Sequence, residues 1–110
     1  MSITINLRYT GKNGAARAFA EEMTKNGTVE AIRKDNGNLR YEYYISFDDP
    51  ETVLLIDEWA DQAAIDWHHA SPMMHRIAEL REKYDLHMTA ERYTRNDSGL
   101  PDNDKQFIRK

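Results

Sequence analysis

The sequence predicts one α+β domain with the element order β-α-β-β-α-β and an antiparallel sheet. Three observations carry that expectation. Apolar and polar residues alternate in four separate stretches, the period of a half-buried strand. Between those stretches apolar residues recur at helical spacing. Turn-forming residues stand at the junctions, and a length of 110 residues suits one domain and not two.

Residues 2–9 form the first strand, with Ile3, Ile5, Leu7 and Tyr9 on one face and Thr4, Asn6 and Arg8 on the other. Gly11 and Gly14 break it. A helix follows, with Asn13 expected as its N-cap and Ala16, Phe19, Ala20 and Met23 as its inward stripe. Asn26-Gly27 stops that helix, and Thr28 caps a short further turn with Val29 and Ile32 facing in. Asn36-Gly37-Asn38 is a turn into the second strand, residues 39–48, where Leu39, Tyr41, Tyr43, Ile45 and Phe47 share a face. Asp48-Asp49-Pro50-Glu51 turns the chain into the third strand, residues 52–60. Asp61 caps a helix running through His68. Ser71 and Pro72 start the next helix as N-cap and first helical residue. Its buried stripe is Met73, Ile77, Leu80 and Tyr84, with Glu79 and Lys83 paired on the wet side. Residues 86–94 are the fourth strand. This order is the ferredoxin-like one. Residues 1–95 make the domain, and residues 96–110 a polar tail whose Gln106-Phe107-Ile108 forms a short strand or an arm across a dimer.

Val53-Leu54-Leu55-Ile56 is apolar on both faces, so the third strand is central and covered twice. Helices cover one side only in this fold. Each buried Ile or Leu is worth roughly 1.5–3 kcal/mol, so the sheet of a second copy is expected on the other side, as a homodimer.

Composition excludes several function classes. Without cysteine there is no disulfide, thiolate metal site or cysteine nucleophile. The net charge is −4 and bases are interspersed with acids, so nucleic-acid binding is not expected. No stretch is apolar enough to span a membrane, and the N-terminus lacks the basic start and apolar run of an export signal. A cytoplasmic protein is the expectation. The four histidines lack the H-x-x-x-H and H-x-H spacings, so no metal site is expected.

Three stretches carry a family resemblance: Gly37-Asn38-Leu39-Arg40-Tyr41-Glu42, Glu58-Trp59-Ala60-Asp61, and His68-His69-Ala70-Ser71-Pro72. In this order and spacing they resemble the antibiotic biosynthesis monooxygenase family, in its small quinol-monooxygenase-like branch, over about residues 2–94. The resemblance implies a dimeric α+β barrel with one pocket per subunit between sheet and helices. It implies oxidation of a quinol-like or polycyclic phenolic substrate by O₂ without flavin, metal or heme. A deprotonated hydroquinone can itself reduce O₂, leaving the protein to bind an apolar ring, move a proton and stabilise an oxyanion. The chain has no glycine-rich nucleotide fingerprint. It departs from the family at Met73-Met74, where His-Phe is common, and at Trp67, where Ala is common.

The candidate catalytic residues are His68 and Asn6. An imidazole suits proton transfer near neutral pH; the structural alternative for His68 is a backbone bond that holds the turn between two helices. Asn6 either faces the helices and holds a substrate oxygen or lies at an interface. Trp67, Trp59, Tyr43 and Met74 are the candidate substrate-binding residues, with core or interface packing as the alternative for the aromatics. His75 shares a charged helical row with Glu79 and is expected at the surface. Asn6 with Trp67 also resembles heme-degrading relatives, which makes heme degradation a second reading. A non-catalytic small-molecule-binding stress-response domain is a third.

Overall fold

The computed structural model describes residues 1–110. Four strands, β1 (Ile3–Thr10), β2 (Asn38–Ile45), β3 (Thr52–Trp59) and β4 (His87–Thr94), form one sheet in the order β2-β3-β1-β4. All three pairings are antiparallel, as the ferredoxin-like order requires. The connections carry α1 (Ala15–Lys25) and α2 (Thr28–Arg33) after β1, and α3 (Gln62–Ala70) and α4 (Pro72–Lys83) after β3. No helix is long and apolar enough to cross a membrane.

The register explains which side chains meet. Ile5 lies opposite Asp57 and Arg92, Leu7 opposite Leu55 and Ala90, and Tyr9 opposite Val53 and Met88. On the far side of β3, Tyr41 is opposite Asp57 and Tyr43 opposite Leu55. These residues face the helices, because alternate residues of a strand share a face. Phe19 and Met23 of α1 and Ile32 of α2 are fully buried against Val53, Leu55 and Tyr9 in one core cluster. The other sheet face is uncovered and carries Asn6, Arg8, Leu54, Ile56 and Glu58.

Several local expectations change in three dimensions. Gly14, with φ 80°, and not Asn13 occupies the N-cap of α1. The Glu51 carboxylate accepts from the Asn13 and Gly14 N–H groups at 2.6 and 2.9 Å, so a distant acid does the capping. Asp61 caps α3 as expected, accepting from the Ala64 N–H at 2.9 Å. β2 ends at Ile45, and Phe47 lies beyond it in the loop, fully exposed. A bulge between Asn38 and Arg40 turns Leu39 out to 59% exposure and breaks its alternation with Tyr41. Glu79 pairs with His75 and Lys83 with Glu22, so the Glu79–Lys83 pair does not form. In the tail, Asp102–Lys105 is a short helix, α5, and Phe107 and Ile108 are exposed.

Candidate active site

A cavity of about 280 Å³ lies between the β1–β4 half of the sheet and helices α3 and α4. Its floor is Ile5 and Leu7 of β1 with Met88 and Ala90 of β4. Asp57, Trp59 and Tyr41 form the wall toward the core, and Ile65, His68, Met74 and Arg81 come from the helices. Arg92 of β4 donates to Oε1 of Gln62 at 2.7 Å, a strap across one end.

His68 enters because α3 buries Ala64, Ile65 and His68 as one stripe. Its ring stacks on Trp59 with centroids 4.8 Å apart and meets the edge of Tyr41 at 6.4 Å. The His68 carbonyl accepts from the Ser71 hydroxyl at 2.7 Å, which fixes the turn into α4. Nδ1 is buried without a hydrogen-bond partner, 3.8 Å from Oδ2 of Asp35, itself buried and unpartnered. Gly37 brings Asp35 there. At φ +91° it packs so closely on α3 that a Cβ would stand 2.5 Å from the Ala64 Cβ. Burial, with the nearby His69 and Arg81, lowers the His68 pKa to about 4, so the imidazole is neutral at pH 7.

Asp57 was not singled out in the sequence. It is buried on the helix-facing side of β3, and its Oδ1 has no partner. Burial raises its pKa to about 7, against the opposing pull of Trp59 and Arg81. Arg81 of α4 donates from Nη2 to the Tyr9 hydroxyl at 2.7 Å and lies over that ring, while its Nε is buried and unpaired. Unpaired buried polar groups are rare, and Asp57 and Arg81 each bring one to residues lining this cavity.

Of the sequence candidates, the cavity gathers His68, Trp59 and Met74. It does not gather the others. Asn6 is on the opposite sheet face, between Ile56 and Glu91, with its Oδ1 buried and unpartnered. Trp67 is 59% exposed and lines a surface hollow beside Gly37 and Ala64, because it is one helical step, about 100°, from His68. Tyr43 borders a separate groove between α1 and β2, and its buried hydroxyl is unpartnered. His75 is exposed and held by Glu79 at 2.8 Å, as expected of a surface histidine. Asp57 was legible from its even spacing with Val53, Leu55 and Trp59, and Arg81 from its place four residues after Ile77.

The family model for antibiotic biosynthesis monooxygenase matches residues 2–80. The chain belongs to the antibiotic biosynthesis monooxygenase family. No curated protein matches it. Among solved structures it is similar to the protein PA3566 from Pseudomonas aeruginosa, at 23% identity and a TM-score of 0.73 over 86% of this chain and 94% of that one. A conserved protein from Methanosarcina mazei is similar at 22% identity and TM-score 0.73, over 87% and 94%. SnoaB, a cofactor-independent oxygenase from Streptomyces nogalater, is similar at 17% identity and TM-score 0.71, over 87% and 94%. At these identities the likeness shows the shared fold. Family membership supports monooxygenase-type chemistry on a small substrate with O₂.

Proposed function

We propose that this protein is a cofactor-independent monooxygenase that oxidises a quinol-like phenolic ring with O₂. The observation that carries the reading is the aromatic-walled cavity, bordered by the His68 ring, on which Asp57 and Arg81 each have one buried polar atom unpaired. The family supports the reaction class, and the likeness to a cofactor-independent oxygenase fits it. Trp59, Tyr41 and Met74 would clasp the ring. His68 would share a hydrogen bond with a ring oxygen. The ring, once deprotonated, gives electrons to O₂. One oxygen atom enters a ring carbon, the other leaves as water, and the hydroquinone becomes a hydroxyquinone. The cavity is near the lower end of ligand pockets, about 300 Å³, which favours one or two fused rings over a larger polycycle.

We further propose a homodimer in the cytoplasm, paired through the uncovered sheet face. Leu54 and Ile56 are only half-buried there, and Asn6 Oδ1 awaits a donor. Asn6 would then serve the interface. The heme reading is weaker because His75, the histidine of α4, is exposed and paired with Glu79.

Purified protein should consume O₂ with reduced naphthoquinone well above the spontaneous rate, and His68→Ala should slow it. A panel of one- and two-ring quinols with no enhancement would overturn the reading.

A further inference from the structure

The cavity is lined by a buried acid, Asp57, and a partly buried guanidinium, Arg81, with no hydrogen bond between them. Asp57 Oδ1 and Arg81 Nε both lack a hydrogen-bond partner, both residues line the same space, and Arg81 makes no salt bridge with any carboxylate. A guanidinium nitrogen and a carboxyl oxygen left unpaired on one cavity can both be satisfied by a polar oxygen of a ligand. We infer that Asp57 and Arg81 form a seat for a phenolic hydroxyl, with Asp57 taking its proton and Arg81 holding the resulting oxyanion, while His68 is a neutral hydrogen-bonding partner and not the base. This rests on the reading that the cavity takes a phenolic ring.

The surroundings suit this assignment. Asp57 on β3 faces Tyr9 of β1, Tyr41 and Tyr43 of β2, His68 of α3 and Arg81 of α4, with Arg92 of β4 across the cavity. The three tyrosines stay protonated because burial raises all of them. His69 of α3 also borders the cavity, and burial holds His68 neutral, while Asp57 is a carboxyl group inside the cavity whose pKa burial brings to about 7. The proton transfer balances within the site: O–H breaks, Asp57 O–H forms, and the negative charge passes from carboxylate to phenolate beside Arg81. Trp59 and Met74 face the apolar part of the ring.

The test separates this seat from the oxygenase reading. Binding of 2-naphthol and of its methyl ether is measured without O₂, by quenching of Trp59 fluorescence in a Trp67→Phe background. The naphthol should bind about tenfold or more tightly than the ether, as hydrogen bonds to charged groups dictate. Asp57→Asn and Arg81→Gln should each erase that preference while ether binding persists, with the folded state of each variant checked by its melting curve. Equal binding of the two compounds by the unaltered cavity overturns the inference, as does a preference that survives both variants. In turnover, kcat/KM should rise as pH passes about 7 and lose that rise in Asp57→Asn, with recovery in Asp57→Glu. An Asp57→Asn enzyme with unchanged kcat and pH profile also overturns it. A naphthol preference that depends on Asp57 and Arg81, in a protein without O₂ consumption, upholds the seat and removes the oxygenase.

Discussion

The two halves of the helix-facing sheet surface are built differently. Beneath α1 and α2, Phe19, Met23, Ile32, Val53 and Leu55 leave almost no accessible surface. Beneath α3 and α4, β1 and β4 border a cavity, and every residue of β4 is exposed. The packed half contributes most of the apolar burial and therefore most of the stability. The open half leaves Asp57, His68 and Arg81 incompletely bonded, which costs stability and leaves polar groups at the cavity. One fold thus separates a packed core from a cavity lined with polar groups, with β3 contributing to both.

That comparison can be broken at either half. The largest expected effect is in the packed one. Phe19→Ala should cost about 3–5 kcal/mol of unfolding free energy in urea titrations. In whatever protein stays folded, affinity for a cavity ligand should be unchanged. A parallel loss of affinity would show that the two halves are mechanically one.

A smaller effect separates the acid from the histidine. Asp57 has its folded pKa raised from 3.8 to about 7, so its contribution is full below pH 3.8 and lost as pH rises through 7. His68 has its folded pKa lowered from 6.5 to about 4, so its contribution is full above pH 6.5 and lost as pH falls through 4. The two oppose each other between about pH 4 and 6.5 and flatten the unaltered protein's profile. Asp57→Asn should make stability rise with pH across that window, and His68→Gln should make it fall, each by on the order of 2 kcal/mol. Urea midpoints measured against pH read both slopes. The same slope in both variants would refute the assignment.

The smallest effect is at the surface. Trp67→Phe should change stability by less than about 0.5 kcal/mol and leave ligand affinity alone, since Trp67 lies outside the cavity. A loss of affinity would mean that this side chain reaches a ligand through a dimer partner or a shifted α3.

Much of the site was written in the spacing. The period of β3 puts Asp57 in the inward row with Leu55 and Trp59, and the rotation of α3 turns Trp67 away when His68 faces in. The same rotation argument separates His68 from His69. Asn6 was ambiguous because strand alternation gives two faces without saying which one the helices cover. Glu51 as the cap of α1 could not be found locally, because its partners are 37 and 38 residues away.

The sequence by itself determined the strands and main helices, the sheet order and the family. Periodicity, caps and turns are local, and each element reads them from neighbours in the chain. Only the tertiary structure decided that Asp57, His68 and Arg81, carried by three different elements, share one cavity, and that Asn6 and Trp67 stand outside it. Such a meeting depends on register and helix docking, and those are settled by the packing of distant surfaces against one another.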